Sequence, residues 1–156
     1  MMMQPQIDDT DRRLLRAYQS RPDLSIAELA EEVGLSSTPC WRRLKRLEEI
    51  GVIIGRANIL NPVALGYPVN VFAHMKLRVH DAGTLDAFEA AIRQIPNIVE
   101  CFSMSGDSDY VVRVVAKSIE DYERILRTIL LSLPNVLSVN SSFTLGSVKL
   151  TAEVPL

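Results

Sequence analysis

A chain of 156 residues, 47% hydrophobic and 23% charged, has the makeup of an ordinary folded protein with one large or two small cores. Its formal net charge of −2 excludes a generally basic nucleic-acid coat. No apolar run reaches the roughly 18 residues a membrane span needs, and MMMQPQ, read as a short disordered tail, lacks the basic and apolar regions of a signal peptide.

Cys40 and Cys101 are lone cysteines flanked by core-type residues. They are expected to be reduced, buried thiols of a cytoplasmic protein, forming neither a disulfide nor a metal site. Residues 1–60 hold nine Lys/Arg against nine Asp/Glu, so the N-terminal part is neutral and its positive charge is gathered on one segment. Focused charge suits site-specific contact with a polyanion.

Taken in order, Asp8 to Ser20 reads as a first helix with Leu14, Leu15 and Tyr18 as its apolar stripe. Asp8, Asp9 and Asp11 crowd its N-terminus, where the helix dipole favours anions, and Arg21-Pro22-Asp23 stops it. Ser25, with Glu28 three residues on, has capping-box spacing for a second helix to Val33, which carries Ile26, Leu29, Ala30 and Val33 on one face. Gly34 breaks that helix where a left-handed residue is cheapest. Leu35 plugs the angle, Ser36 caps a third helix, and Pro39 sits in its first turn. This is a helix-turn-helix.

In the third helix Cys40, Leu44 and Leu47 recur at i, i+4, i+7 and face the core. Arg42, Arg43, Lys45 and Arg46 lie between them and repel one another unless a polyanion neutralises them. A recognition helix reads base edges from its N-terminal turn and holds phosphate with flanking cations. Ser37, Thr38, Trp41 and Arg42 are therefore the candidate readers, and Arg43, Lys45 and Arg46 the candidate phosphate clamps. Trp41 either wedges at the DNA surface or packs against the first helix.

The stretch GLSSTPCWRRLKRLEEIGVII resembles the DNA-binding segment of the Lrp/AsnC (feast/famine) transcription regulators. IDDTDRRLL upstream resembles the opening motif of that family, and SGDSDYVVRV downstream resembles its effector-side motif. The resemblance implies an α+β chain, with a winged or plain helix-turn-helix domain over 1–60 and a ferredoxin-like ligand-sensing and oligomerisation domain over 61–156. It further implies a regulator that is not an enzyme, forms a homodimer able to assemble into octamers, binds double-stranded DNA, and takes a small amino acid between C-terminal domains. The TPCW start of the third helix and the SSF…VK…VPL ending look closest to a branch that includes cysteine-responsive regulators.

After Gly51 the β-branched run 52–60 is extended in character and reads as a wing or an interdomain strand, with Arg56 as an extra phosphate contact or a solvated residue. Asn61 to Pro68 is turn-rich and marks the domain boundary. From Val69 the period becomes two, giving a strand with Val69, Val71, Ala73, Met75, Leu77 and Val79 on one face. A helix over 84–95, strands over 98–104 and 110–116, a helix capped by Ser118 with Asp121, and a strand over 136–145 follow. The order is βαββαβ. Ile95-Pro96-Asn97 and Leu133-Pro134-Asn135 close the two helices alike, a weak internal repeat.

The loop Ser105, Gly106, Asp107, Ser108, Asp109, Tyr110 reads as a polar hairpin from its residues alone. The resemblance makes Ser105, Gly106, Asp107, Asp109 and Tyr110 candidate effector contacts: N–H groups around Gly106 suit a carboxylate, and Asp107 or Asp109 an ammonium. Ser108 stands where many members of the family carry a larger side chain. His74 and His80 have no partner at metal-ligand spacing. Neither a phosphate loop nor a nucleophile elbow occurs, so no cofactor is expected. Two other readings share the layout, a sirohaem-decarboxylase-like enzyme and an architectural DNA-binding oligomer that ignores ligands.

Overall fold

The structure, a computed structural model, describes residues 6–156. Met1–Pro5, most of the expected N-terminal tail, lie outside the described residues. The chain forms two compact units, one running to Asn58 and taking up Lys149–Leu156, the other spanning Ile59–Val148. The last eight residues thus belong with the helices rather than with the domain expected over 61–156.

The first unit contains α1 (Asp9–Ser20), α2 (Ile26–Val33) and α3 (Ser37–Glu49). Asp8 caps α1 through a reciprocal box: Asp11 N donates to Asp8 Oδ1 at 2.7 Å and Asp8 N donates to Asp11 Oδ2 at 3.0 Å. Ser25 and Glu28 make the expected box on α2, with Ser25 N donating to Glu28 Oε2 at 2.9 Å. Gly34 ends α2 with φ 73°, a left-handed conformation that costs other residues, and Leu35 N returns to Ala30 O at 2.8 Å. Ser36 is the N-cap of α3 by position but makes no side-chain cap bond. Leu14, Leu15, Leu29, Ala30, Val33, Cys40, Leu44 and Leu47 close the core, and burial raises the Cys40 thiol above its ordinary pKa.

No strand forms over 52–60 among the described residues, contrary to the wing or interdomain strand expected there. Val52 and Ile53 turn their N–H groups to Leu47 O and finish α3 instead. Beyond them, Ile54 is 97% exposed, and an extended segment without a neighbour has no ladder to join.

The second unit contains β1 (Val69–Leu77), α4 (Ala82–Ile92), β2 (Ile98–Ser103), β3 (Tyr110–Ala116), α5 (Ile119–Thr128), a short 3-10 turn (Leu130–Ser132) and β4 (Val136–Phe143). The sheet runs β2-β3-β1-β4 with every neighbouring pair antiparallel, the ferredoxin-like arrangement. Val71, Ala73, Met75 and Leu77 alternate into the core with Val112, Val114 and Ala116 beside them, and Phe88, Ile92, Tyr122 and Ile125 of the helices complete it. Val79 lies beyond the strand and is exposed. Helix α4 begins earlier than expected because Asp81 caps it through Thr84 N at 3.0 Å, with Gly83 accommodated in its first turn.

The Pro-Asn repeat is structural. Asn97 exchanges bonds with Val115, its Nδ2 donating to Val115 O and Val115 N donating to Asn97 O, both at 2.9 Å. Asn135 does the equivalent for the end of β1, accepting from Val79 N at 3.0 Å through Oδ1 and from Arg78 N at 2.9 Å through its carbonyl. Each turn pins the strand it starts to the neighbouring strand.

Candidate nucleic-acid interface and effector loop

Three faces of α3 have three different fates. Cys40, Leu44 and Leu47 are buried. Thr38, Trp41, Arg42 and Lys45, spaced i, i+3, i+4, i+7, make an exposed stripe, with Ser37 beside it and Trp41 55% exposed. Among the described residues, Arg42 and Lys45 form no ion pair.

Arg43 and Arg46, expected as phosphate clamps, turn to α1 instead. Arg43 Nη1 donates to Asp8 Oδ2 at 2.7 Å and to Asp11 Oδ1 at 2.8 Å. Arg46 Nη2 donates to Asp11 Oδ2, and Arg46 Nη1 reaches Gln6 O at 3.3 Å. Asp11 is fully buried, so a carboxylate there needs these cations beside it. Asp8 is held below the ordinary carboxylate range, first by the Asp11 N–H and then by Arg43. The aspartates were expected only to favour the helix dipole. Their pairing with α3 was missed, and the Asp-x-x-Asp spacing opposite an Arg-x-x-Arg helix was the available signal. Arg56 stacks over the Tyr18 ring, 4.2 Å from its centroid, rather than standing free.

The effector loop splits as well. Ser105, Gly106 and Asp107 are exposed, and Gly106 has φ 130° with open space where a Cβ would stand. Asp109 instead ties the loop to the end of β1, its Oδ2 accepting from Leu77 N at 2.7 Å and its Oδ1 meeting His80 Nε2 at 2.9 Å. The Leu77 N–H chiefly, and His80 after it, hold Asp109 below the ordinary carboxylate range. Tyr110 does not face the loop. Its ring packs on Phe88 with centroids 4.7 Å apart, and its hydroxyl donates to Glu89 Oε1 at 2.9 Å. Burial first, and the Glu89 bond second, push its pKa up to about 12. A residue heading a strand on the core side of the sheet has to point this way. Of the five expected effector contacts, Ser105, Gly106 and Asp107 stand together at an open surface.

Residues 7–54 match the family described as winged helix-turn-helix DNA-binding, and residues 70–154 match the Lrp/AsnC ligand binding domain. The chain belongs to the Lrp/AsnC family of transcription regulators. Its Lrp/AsnC relatives include the Bkd operon transcriptional regulator of Pseudomonas aeruginosa, 38% identical over 97% of this chain and 99% of that protein. The DNA-binding transcriptional activator DecR of Escherichia coli is 33% identical over 96% of this chain and 99% of its own. Among solved Lrp/AsnC structures, an Agrobacterium tumefaciens AsnC family regulator superposes with a TM-score of 0.88 at 38% identity, covering 96% of this chain and 97% of that one. A Neisseria meningitidis transcriptional regulator solved with L-Met superposes at 0.90, with 31% identity and the same shares covered. No helix among the described residues is long and apolar enough to cross a membrane.

Proposed function

We propose that this Lrp/AsnC regulator is a cytoplasmic homodimer, able to assemble further into octamers, that binds a symmetric operator through α3 and responds to a small amino acid. The observation that carries this is the exposed stripe Thr38, Trp41, Arg42 and Lys45, which leaves one face of α3 with hydrogen-bonding, aromatic and cationic groups free to meet a groove. One small helix-turn-helix has few contacts, and two-fold half-sites make up the deficit. The outer face of the sheet, with Phe72, Val111 and an exposed Phe102, suits contact with a second copy.

The effector reading rests on Ser105, Gly106 and Asp107. Open N–H groups there suit a carboxylate and Asp107 an ammonium, a pair of opposite partners such as a zwitterion needs. The L-Met complex of the Neisseria relative, together with the glutamate uptake regulatory protein of Zymomonas mobilis, 32% identical over 96% of this chain, supports amino-acid metabolism as the regulated process. Selection of bound duplexes from a random pool, followed by footprinting with and without each of the amino acids, tests both halves. A palindromic consensus whose occupancy shifts with one amino acid supports the reading. Failure to select any sequence removes it, and a consensus indifferent to every amino acid reduces the protein to a ligand-independent DNA binder.

A further inference from the structure

The last turn of α1 receives both chain segments that join the two units. The chain leaves the helical unit after Asn58 and re-enters it at Lys149. On the way out, Arg56 stacks over Tyr18 at 4.2 Å. On the way back, Gln19 pairs with the main chain of Val154 in both directions: Nε2 donates to Val154 O at 2.8 Å, and Val154 N donates to Gln19 Oε1 at 3.0 Å. Arg16 Nε donates to Leu156 O at 2.7 Å, and the Leu156 side chain packs on the core of the helical unit.

A primary amide carries both donor and acceptor, and Gln19 turns one N–H and its carbonyl to Val154 as the main chain of a neighbouring strand would. No charged or aliphatic side chain offers both. We propose that Gln19 is a positioning residue for DNA binding: by fixing the returning tail to α1 it gives the helix-turn-helix unit a second tether. This rests on the symmetric-operator reading above.

The physical consequence follows from effective concentration. Once one half-site is engaged, the second subunit binds at a local concentration set by how far its DNA-binding unit can wander. A unit held by one flexible linker samples more volume than a unit held by two segments, and each doubling of the sampled volume halves that concentration. Loss of the tether therefore weakens a two-half-site operator while leaving the affinity of a single half-site alone. A residue that merely supported the fold of the helices would weaken both together. Gln19 is half-buried at the end of α1 and outside the exposed stripe of α3.

The test uses the full chain, Gln19→Ala, and a chain ending at Ala152, each titrated with the selected palindromic duplex and with the same duplex scrambled in one half. The expected result is a loss of roughly three- to tenfold on the full site in both variants, with half-site affinity unchanged and with the amide protection of Val154, present in the full chain, abolished by Gln19→Ala. Equal losses on both duplexes, no loss on either, or an unprotected Val154 amide in the full chain would each overturn the proposal. A full chain that binds no duplex ends the operator reading instead. The tether is then decided by the rotational correlation times of the helix-turn-helix amides, which shorten in both variants if the tail restrains the unit and stay unchanged if it does not.

Discussion

Arg43 Nη1 lies 2.8 Å from Asp11 Oδ1, and that contact joins the recognition helix to a carboxylate with no exposure to water. Asp11 is therefore both the capping partner of α1 and the anchor of α3. Asp11→Ala removes bonds from two arginines and half of the capping box. Because the arginine side chains are 32% and 43% exposed, their heads can turn to water, so the cost falls below that of a stranded buried charge. Loss of about 2–3 kcal/mol of stability is expected, read as a lower denaturant midpoint with unchanged slope.

Through the same contact, charge reversal at Arg43 and Arg46 acts on the fold. Replacing both with Glu places like charges against Asp8 and Asp11, so the helical unit should lose its fold along with its DNA affinity. Circular dichroism of that double variant is expected to show loss of helix. A fully helical double variant would mean that the α1–α3 ion pairs contribute little.

Asp109 and Asp107 should separate cleanly. Asp109→Ala frees Leu77 N and detaches the loop from β1, and is expected to cost about 1–2 kcal/mol as a lost charge-assisted bond. Asp107 is exposed and makes no protein bond among the described residues, so Asp107→Ala is expected to stay within about 0.5 kcal/mol of wild type while abolishing calorimetric binding of the effector. Gly106→Val is a poorer probe, since φ 130° strains any branched residue whether or not a ligand binds.

Asp109 and Tyr110 respond at opposite ends of the pH range. Asp109 has a folded pKa below its ordinary value of 3.8, so its contribution to stability is present above that pH and is lost as pH falls through the folded value. Tyr110 is raised from 10.0 to about 12, so its contribution is complete below pH 10.0 and is lost as pH climbs through about 12. Burial raises Tyr122 as well, so phenolate absorbance should show late-titrating tyrosines in wild type and one fewer of them in Tyr110→Phe. If every tyrosine titrates near 10.0, the ring is not buried against Glu89 as described.

Much of the fold is legible because its causes are local. Ser25 and Glu28, Gly34, and the alternation from Val71 to Leu77 each declare themselves within a few residues, and the structure places them as read. What escapes is what depends on distant chain. Asp11, more than 30 residues earlier, claims both Arg43 and Arg46, and the matching Asp-x-x-Asp and Arg-x-x-Arg spacings become a signal only once α1 and α3 are known to pack together. Four cations in one helix look equivalent in sequence and divide only when α1 packs against one face. Tyr110 sits inside the motif that suggested a ligand loop, yet its place at the head of β3 sends its ring to Phe88 and Glu89. The return of the tail to Gln19 leaves no trace in the spacing of either segment.

Whether the exposed stripe of α3 meets DNA is read from the salt dependence of operator affinity in wild type and in Arg42→Ala/Lys45→Ala. With Arg43 and Arg46 engaged by α1, Arg42, expected as a base reader, and Lys45 are the cations left to neutralise phosphate; one phosphate each makes four per dimer, and each contributes about 0.9 to the slope of log K against log salt. The double variant should therefore show a slope about 4 smaller in magnitude than wild type, with thermal stability unchanged. An unaltered slope and an unaltered affinity in the double variant would mean that this stripe does not meet DNA.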